Sequence, residues 1–304
     1  MSGAGQSMQK GERTMAEALR DRAAREVRYD ALTWQEINEA VALKKVVVLP
    51  IGATEQHGPH LPLETDTRQV RSLSLEAATR SPEDMLVMPE VAYGYTHHVM
   101  DFPGTVNIEP STFVRLLVDI GRSVAYHGFK RIIMINGHGS NMPLVEMAAR
   151  QVSLQTDAAC MSLGWWQLSG KYWNSIRTSP VGGCAHACEL ETSLYCHINP
   201  DGVRTDRIEG YIPSYMKFPG ADKWHYRDIT LGSGPAGIMD WTSSFSETGS
   251  NGLPEHATRE KGRLLYERIV GELIELIRWF RTRPDLARRD RHTKAPTFAL
   301  PFEF

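Results

Sequence analysis

Val46-Val47-Val48-Leu49-Pro50-Ile51 runs without a break into Gly52-Ala53-Thr54-Glu55-Gln56-His57-Gly58-Pro59-His60-Leu61-Pro62-Leu63-Glu64-Thr65-Asp66-Thr67, and this junction decides the fold. A continuous β-branched apolar run is the pattern of a strand covered on both faces, as in parallel sheets flanked by helices. In open α/β sheets, ligands bind beyond the carboxyl ends of such strands. Glu55, His57 and Asp66 are residue types that bind divalent metals. The glycines and prolines between them let the backbone double back so that all three can face one point. A single such residue would more commonly satisfy a turn hydrogen bond. Several in one short loop favour a metal site.

Outward from this junction, strands and helices alternate. Upstream, Thr33-Trp34-Gln35-Glu36 fits a capping box that opens a helix leading to the strand at Val46. Residues 15–27 have the composition of a surface helix, and residues 1–14 lack the apolar content to order themselves and read as a flexible tail. Downstream, the pattern predicts a helix over 67–78, a strand over 85–88 and a helix from Pro110 to about His127, with Phe113, Leu116, Leu117, Ile120 and Val124 on one face. The strand Arg131-Ile132-Ile133-Met134-Ile135 delivers Asn136-Gly137-His138-Gly139-Ser140-Asn141 on the same rim as Glu55 and His57, ahead of a helix over 143–152. A strand over 158–163 follows, so the chain is α/β with a mostly parallel sheet, one domain over 15–280.

Three further segments carry chemistry-bearing residues. Tyr93-Gly94-Tyr95-Thr96-His97-His98 with Phe102-Pro103-Gly104-Thr105 can line a pocket, as can the rings of Trp165, Trp166, Tyr172 and Trp173, which could equally fill a subunit interface. We take His97, Ser140 and Trp173 as the substrate-facing residues. From Ala185 to about His197 the composition is helical, and on a helix His186 and Glu189 share a face, whereas Glu191 points about 160° away from Glu189. Only one of the two acids can join His186, and an ordinary helix N-terminus also favours Glu in its first turn, so this segment alone does not assign a ligand. Residues 199–251 read as long loops with short strands. A helix over 255–280 carries the stripe Leu264, Leu265, Ile269, Leu273, Leu276 and Ile277, and a tail over 281–304 ends in Phe298, Phe302 and Phe304.

Composition narrows the partners. The 34 basic and 36 acidic residues leave a net charge of −2, which excludes a long-range field for nucleic acid or an anionic membrane and points to a small molecule. Cys160, Cys184, Cys188 and Cys196 form no CxxC pair and read as reduced thiols of a cytoplasmic protein. No apolar run reaches the roughly 20 residues that a membrane-spanning helix needs.

The clusters, in this order, resemble the creatininase (creatinine amidohydrolase) family. Glu55 to Asp66 is similar to its Glu-Gln-His-Gly-Pro-His-Leu-Pro-Leu-x-Thr-Asp pattern, Asn136 to Asn141 to its Asn-Gly-His segment, Phe102 to Thr105 to its Pro-Gly-Thr turn, and His186 to Ser193 to its His-Ala-Gly-Glu-x-Glu-Thr-Ser segment. The resemblance implies a three-layer α/β/α sandwich, a hydrolase acting on a C–N amide bond of a small amide, and usually two divalent ions, zinc or manganese with iron in some relatives. It also implies a homo-oligomer, often a hexamer. By position, Glu55 and His138 would ligate one ion, His57 the other, and Asp66 both, with His186 as the proton-transferring residue. Creatininases proper place a Glu ligand where this chain has Ser140, and Glu189 is the expected replacement, with a catalytic role beside His186. The absence of a Trp in Pro180 to Gly183 argues against creatinine itself. The same departure at Ser140 leaves open a one-metal, deformylase-type hydrolase or a metal-bound member without turnover.

Overall fold

The computed structural model of the chain describes residues 14–294 other than 225, 226, 230, 231 and 234. The expected tail over 1–14 therefore lies outside the described residues except for Thr14, which caps the first helix by accepting from Glu17 N at 3.2 Å. Phe298, Phe302 and Phe304 also lie outside them.

The apolar run forms β1 (Val46–Ile51), and all six of its residues are buried. Its neighbours are β2 (Met85–Val87), β3 (Arg131–Asn136) and β4 (Ala159–Gly164), in the order β2-β1-β3-β4 with every pairing parallel. Because strand side chains alternate, each strand feeds two cores. Val47, Leu49, Ile132 and Met134 pack on α4 (Pro110–Tyr126) and α5 (Met142–Gln155), with α1 (Met15–Arg25) and α2 (Trp34–Ala42) at the margin. Val46, Val48, Ile133 and Ile135 pack on α3 (Thr65–Arg80) and on two later helices, α7 (Glu189–Ile198) and α9 (Arg259–Thr282). The result is the three-layer α/β/α sandwich. Each fully buried aliphatic side chain contributes roughly 1.5–3 kcal/mol, which is why aliphatic residues fill the interior of β1 and β3.

Between β4 and α9 lie α6 (Gly170–Ile176), β5 (Cys184–His186), α8 (Ala221–Trp224), β6 (Arg227–Asp228), β7 (Gly232–Ser233) and β8 (Asn251–Gly252); β5 pairs antiparallel with β8, and β6 with β7. Here the structure corrects the sequence. His186 ends a strand, Ala187 takes a left-handed φ of 49°, and the helix opens only at Glu189. His186 and Glu189 therefore share no helical face. Among the described residues no helix is long and apolar enough to cross a membrane, and the four cysteines are free thiols.

The two helices beneath the rim touch at Gly262, where an added Cβ would stand 1.8 Å from Ser193 O. Helix propensity alone would reward Gly262→Ala by about 1 kcal/mol. Forcing the helices apart costs more, about 1–3 kcal/mol. The variant should therefore show a net loss in urea unfolding, and a gain would refute this contact.

Candidate metal centre and pocket

The carboxyl ends of β1 and β3 deliver the charged residues together. After β1 the chain folds back, Glu55 N donating to Leu63 O at 3.0 Å and His57 bridging to Leu61, which returns the backbone to Asp66 in the first turn of α3. Gly137, just after β3, lies so near this turn that a Cβ there would come within 2.6 Å of Asp66 O. Asn136 Oδ1 accepts from His138 N at 3.2 Å, and Asn141 Nδ2 donates to Gly52 O at 3.0 Å, fastening the two loops to one another. The asparagines of the Asn-Gly-His segment thus hold the loop that presents His138.

Three imidazoles reach the rim, and each has one nitrogen against a backbone carbonyl. His57 Nδ1 meets Glu55 O at 3.1 Å, His138 Nε2 meets Tyr95 O at 3.0 Å and His186 Nε2 meets Gln56 O at 2.9 Å. His186 Nε2 also meets the Gln56 Nε2 donor at 3.1 Å, so its tautomer is not fixed by these contacts. A carbonyl only accepts, so the named nitrogens of His57 and His138 carry hydrogens and the opposite ones have lone pairs. The opposite nitrogens face carboxylates. His57 Nε2 is 3.0 Å from Asp66 Oδ1 and 4.0 Å from Glu191 Oε1, while His138 Nδ1 is 2.6 Å from Glu55 Oε2 and 3.3 Å from Asp66 Oδ2. Neither Glu55 oxygen nor Asp66 Oδ2 has a hydrogen bond, although both residues are buried. Lone pairs converging this closely call for a positive charge between them. Carbonyl-backed imidazoles and bare carboxylates are the donor set of a divalent metal. Three such sets occur among the described residues, Glu55 with Asp66 and His138, His57 with Asp66 and Glu191, and Glu55 with His57 and His186; Asp66 belongs to the first two.

The electrostatics agree. Burial lowers the His57 imidazole, but Asp66, Glu191 and Glu55 overcome it and push the group up to about 10. His138 is raised well above its usual range, burial again being outweighed by Glu55 and Asp66. Burial would raise Asp66 and Glu55, yet the neighbouring imidazoles hold both below the usual carboxylate range. Burial pushes Glu191 up to about 7 and His186 down to about 4. Protons therefore gather on His57 and His138 in the metal-free protein, at the nitrogens a metal would take.

Several predicted site residues lie elsewhere. Glu189 stands apart from the cluster: its carboxylate accepts from Thr178 N at 3.0 Å, Ser179 N at 2.9 Å and Lys261 Nζ at 2.5 Å. With the helix opening at Glu189, Glu191, also in its first turn, faces the centre instead. Trp173 is fully buried among core residues below the sheet, and Trp166 is the ring at the cavity. His97 is exposed, its ring 5.1 Å from Trp241, while His98 lines the cavity with Ser140. The cavity holds about 630 Å³ and is lined by Glu55, His138, His186 and Glu191 on its polar side. Gln56, which the sequence did not single out, holds His186 through its carbonyl and Gly249 O through its side chain at 3.0 Å.

Two outcomes follow for stability. A raised imidazole stabilises the metal-free fold fully below its usual pKa of about 6.5 and loses that contribution as pH rises through about 10. Chelated protein should thus lose on the order of a few kcal/mol between these limits, seen as a falling melting temperature, whereas metal-loaded protein should stay nearly level. Parallel curves would contradict the donor-set assignment. Separately, Lys261→Met leaves the wholly buried Glu189 carboxylate without its cation and should cost about 3–5 kcal/mol in urea unfolding.

Comparison with known proteins gives one family. The creatininase family profile (creatinine amidohydrolase) matches residues 30–277. The mycofactocin precursor peptide peptidase of Mycobacterium tuberculosis is 31% identical over 249 residues, 79% of this chain and 87% of that protein. The creatinine amidohydrolase of Pseudomonas putida is 30% identical over 263 residues, 81% and 94% of the two chains. The solved structure of a manganese creatininase superposes with a TM-score of 0.71 at 27% identity, covering 83% of this chain and 98% of its own. With its parallel sheet, metal-type donor sets and family-wide match, the chain belongs to the creatininase family of C–N hydrolases, though its Ser140 and Trp-less Pro180 to Gly183 run set it apart from creatininases proper.

Proposed function

We propose that the protein is an amidohydrolase using two divalent ions, zinc or manganese, to cleave a C–N bond in a small linear or cyclic amide. The observation that carries this reading is the convergence of bare imidazole nitrogens and unbonded buried carboxylate oxygens in two sets that share Asp66. Glu55, Asp66 and His138 would hold one ion and His57, Asp66 and Glu191 the other. Bound there, such ions activate water and polarise an amide carbonyl, the two weak points of amide hydrolysis. Glu191 replaces Glu189 as the acid that compensates for Ser140.

The chain's own residues supply the rest. His186 Nε2 lies against both the Gln56 carbonyl, at 2.9 Å, and the Gln56 side-chain amide nitrogen, at 3.1 Å, and in the tautomer that donates to the carbonyl its Nδ1 keeps the lone pair. Burial keeps this ring neutral, so Nδ1 can take the proton that the attacking water sheds and pass it to the leaving nitrogen. Tyr95, through its carbonyl, fixes the His138 ring that faces Glu55. Trp166, Val99 and Phe245 give the cavity apolar walls that hold the substrate and limit bulk water. The relatives named above, one acting on a peptide precursor and one on creatinine, support amide hydrolysis while spanning very different substrates.

Metal content and turnover of four variants test this. His57→Ala and Asp66→Ala should lose metal, and Glu191→Gln should lose roughly 100-fold or more in metal affinity or activity. Glu189→Gln should instead lower stability while retaining metal. Chelation should abolish turnover, and manganese or zinc should restore it. Full metal retention in Asp66→Ala, or metal loss in Glu189→Gln with retention in Glu191→Gln, would overturn the assignment.

A further inference from the structure

Four carboxylates line the cavity, Glu55, Glu191, Asp228 and Asp240, and among its described lining residues there is no lysine or arginine. Three of the four are already engaged. Glu55 and Glu191 belong to the metal sets. Asp228 is buried, accepting from Arg177 Nη1 at 2.8 Å and from Gly182 N at 3.0 Å. Asp240 is different: it is exposed and makes no hydrogen bond or ion pair among the described residues. Its charge is open to whatever enters.

The surface beside it is apolar. Ile238 and Met239, both cavity-lining, are 53% and 51% exposed, and Trp241 next to them is 45% exposed. Large apolar side chains clustered on one short segment at a pocket mark a surface that a ligand covers. The cavity, at about 630 Å³, is of the size that encloses a drug-sized or short-peptide ligand and far exceeds one small ring.

Resting on the amidohydrolase reading, we propose that this cavity selects an oligopeptide-like amide that carries a positive charge, with Asp240 as its counter-ion and Ile238 and Met239 as the rest for an adjoining apolar side chain. Asp240 is thus a specificity-determining residue outside the metal centre. An ammonium or guanidinium group beside Asp240 gains its field, and a phosphate or carboxylate at the same place meets repulsion with no lysine or arginine among the described lining residues to receive it. Because Asp240 is open to solvent, the effect has the size of an exposed ion pair, about fivefold per unit of charge.

The test uses metal-replete protein and one pentapeptide amide in three forms, with a free amino terminus, N-acetylated and N-succinylated, so that the charge falls from positive through neutral to negative. Wild-type kcat/KM should fall in that order, about fivefold at each step and chiefly through KM. The order should flatten in Asp240→Asn and reverse in Asp240→Lys, with melting temperatures confirming that both variants fold. Isothermal titration of the same peptides separates the two readings. Binding in this order without turnover keeps the charge selection and sinks peptide-like hydrolysis. Turnover with equal preference, the same order surviving in Asp240→Asn, or no binding of any form would overturn the role of Asp240.

Discussion

Each imidazole at the rim is tethered by one nitrogen to a backbone carbonyl, and everything else in the site depends on that tether. At His57 and His138 it removes the rotational and tautomeric freedom that a histidine on a loop would otherwise have. With the hydrogens of His57 and His138 committed to Glu55 O and Tyr95 O, their remaining nitrogens are lone-pair donors with fixed directions. Buried carboxylates that face lone pairs are unfavourable neighbours unless a cation intervenes. The fold therefore stores a demand for positive charge at one place, and it meets that demand with protons or with metal.

The strain of such a site is carried by the layers below it. β1 and β3 are buried over their whole length, so their carboxyl ends are rigid mounts, and α3 is held against them at the close approach of Gly137 to Asp66. The opposite mount is α7. Its first residue, Glu189, is clasped by Lys261 of α9 and by the amides of Thr178 and Ser179, which fixes where Glu191 stands two residues on. A carboxylate that the sequence offered as a ligand is spent instead on Lys261 and two backbone amides, and it positions the residue that faces the centre. That distinction rests on a difference of two positions along the chain.

The sequence conveyed the layers well because their signal is redundant. Val46 to Ile51 and Ile132 to Ile135 are apolar on both faces, the helix at Pro110 buries Phe113, Leu117 and Val124 of its expected stripe while Leu116 turns to solvent, and Thr33 with Glu36 forms the expected cap, Thr33 N donating to Glu36 Oε2 at 2.7 Å. The loop residues Glu55, His57, Asp66 and His138 were legible because they crowd one rim. The errors arose where one backbone torsion decides the outcome. A left-handed Ala187 breaks the apparent helix between His186 and Glu189, and a helical register counted from His186 then selects the acid that points away from the cluster. Trp173 and Trp166, like His97 and His98, are chemically alike, and only packing says which of each pair turns toward the cavity. Composition carries no such directional information.

Asp66, Glu55, His57 and His138 come from the first half of the chain and are anchored in the sheet, whereas Ile238, Met239, Asp240 and Phe245 come from an irregular stretch outside it. The reactive floor and the recognising wall are thus separable parts. Ile238, Met239 and Asp240 lie outside every strand and helix among the described residues and belong to no metal-donor set, so new shapes can be tried there at little cost to the fold. In a protein built this way the chemistry is inherited with the scaffold, and what it acts on can be rewritten one exposed side chain at a time.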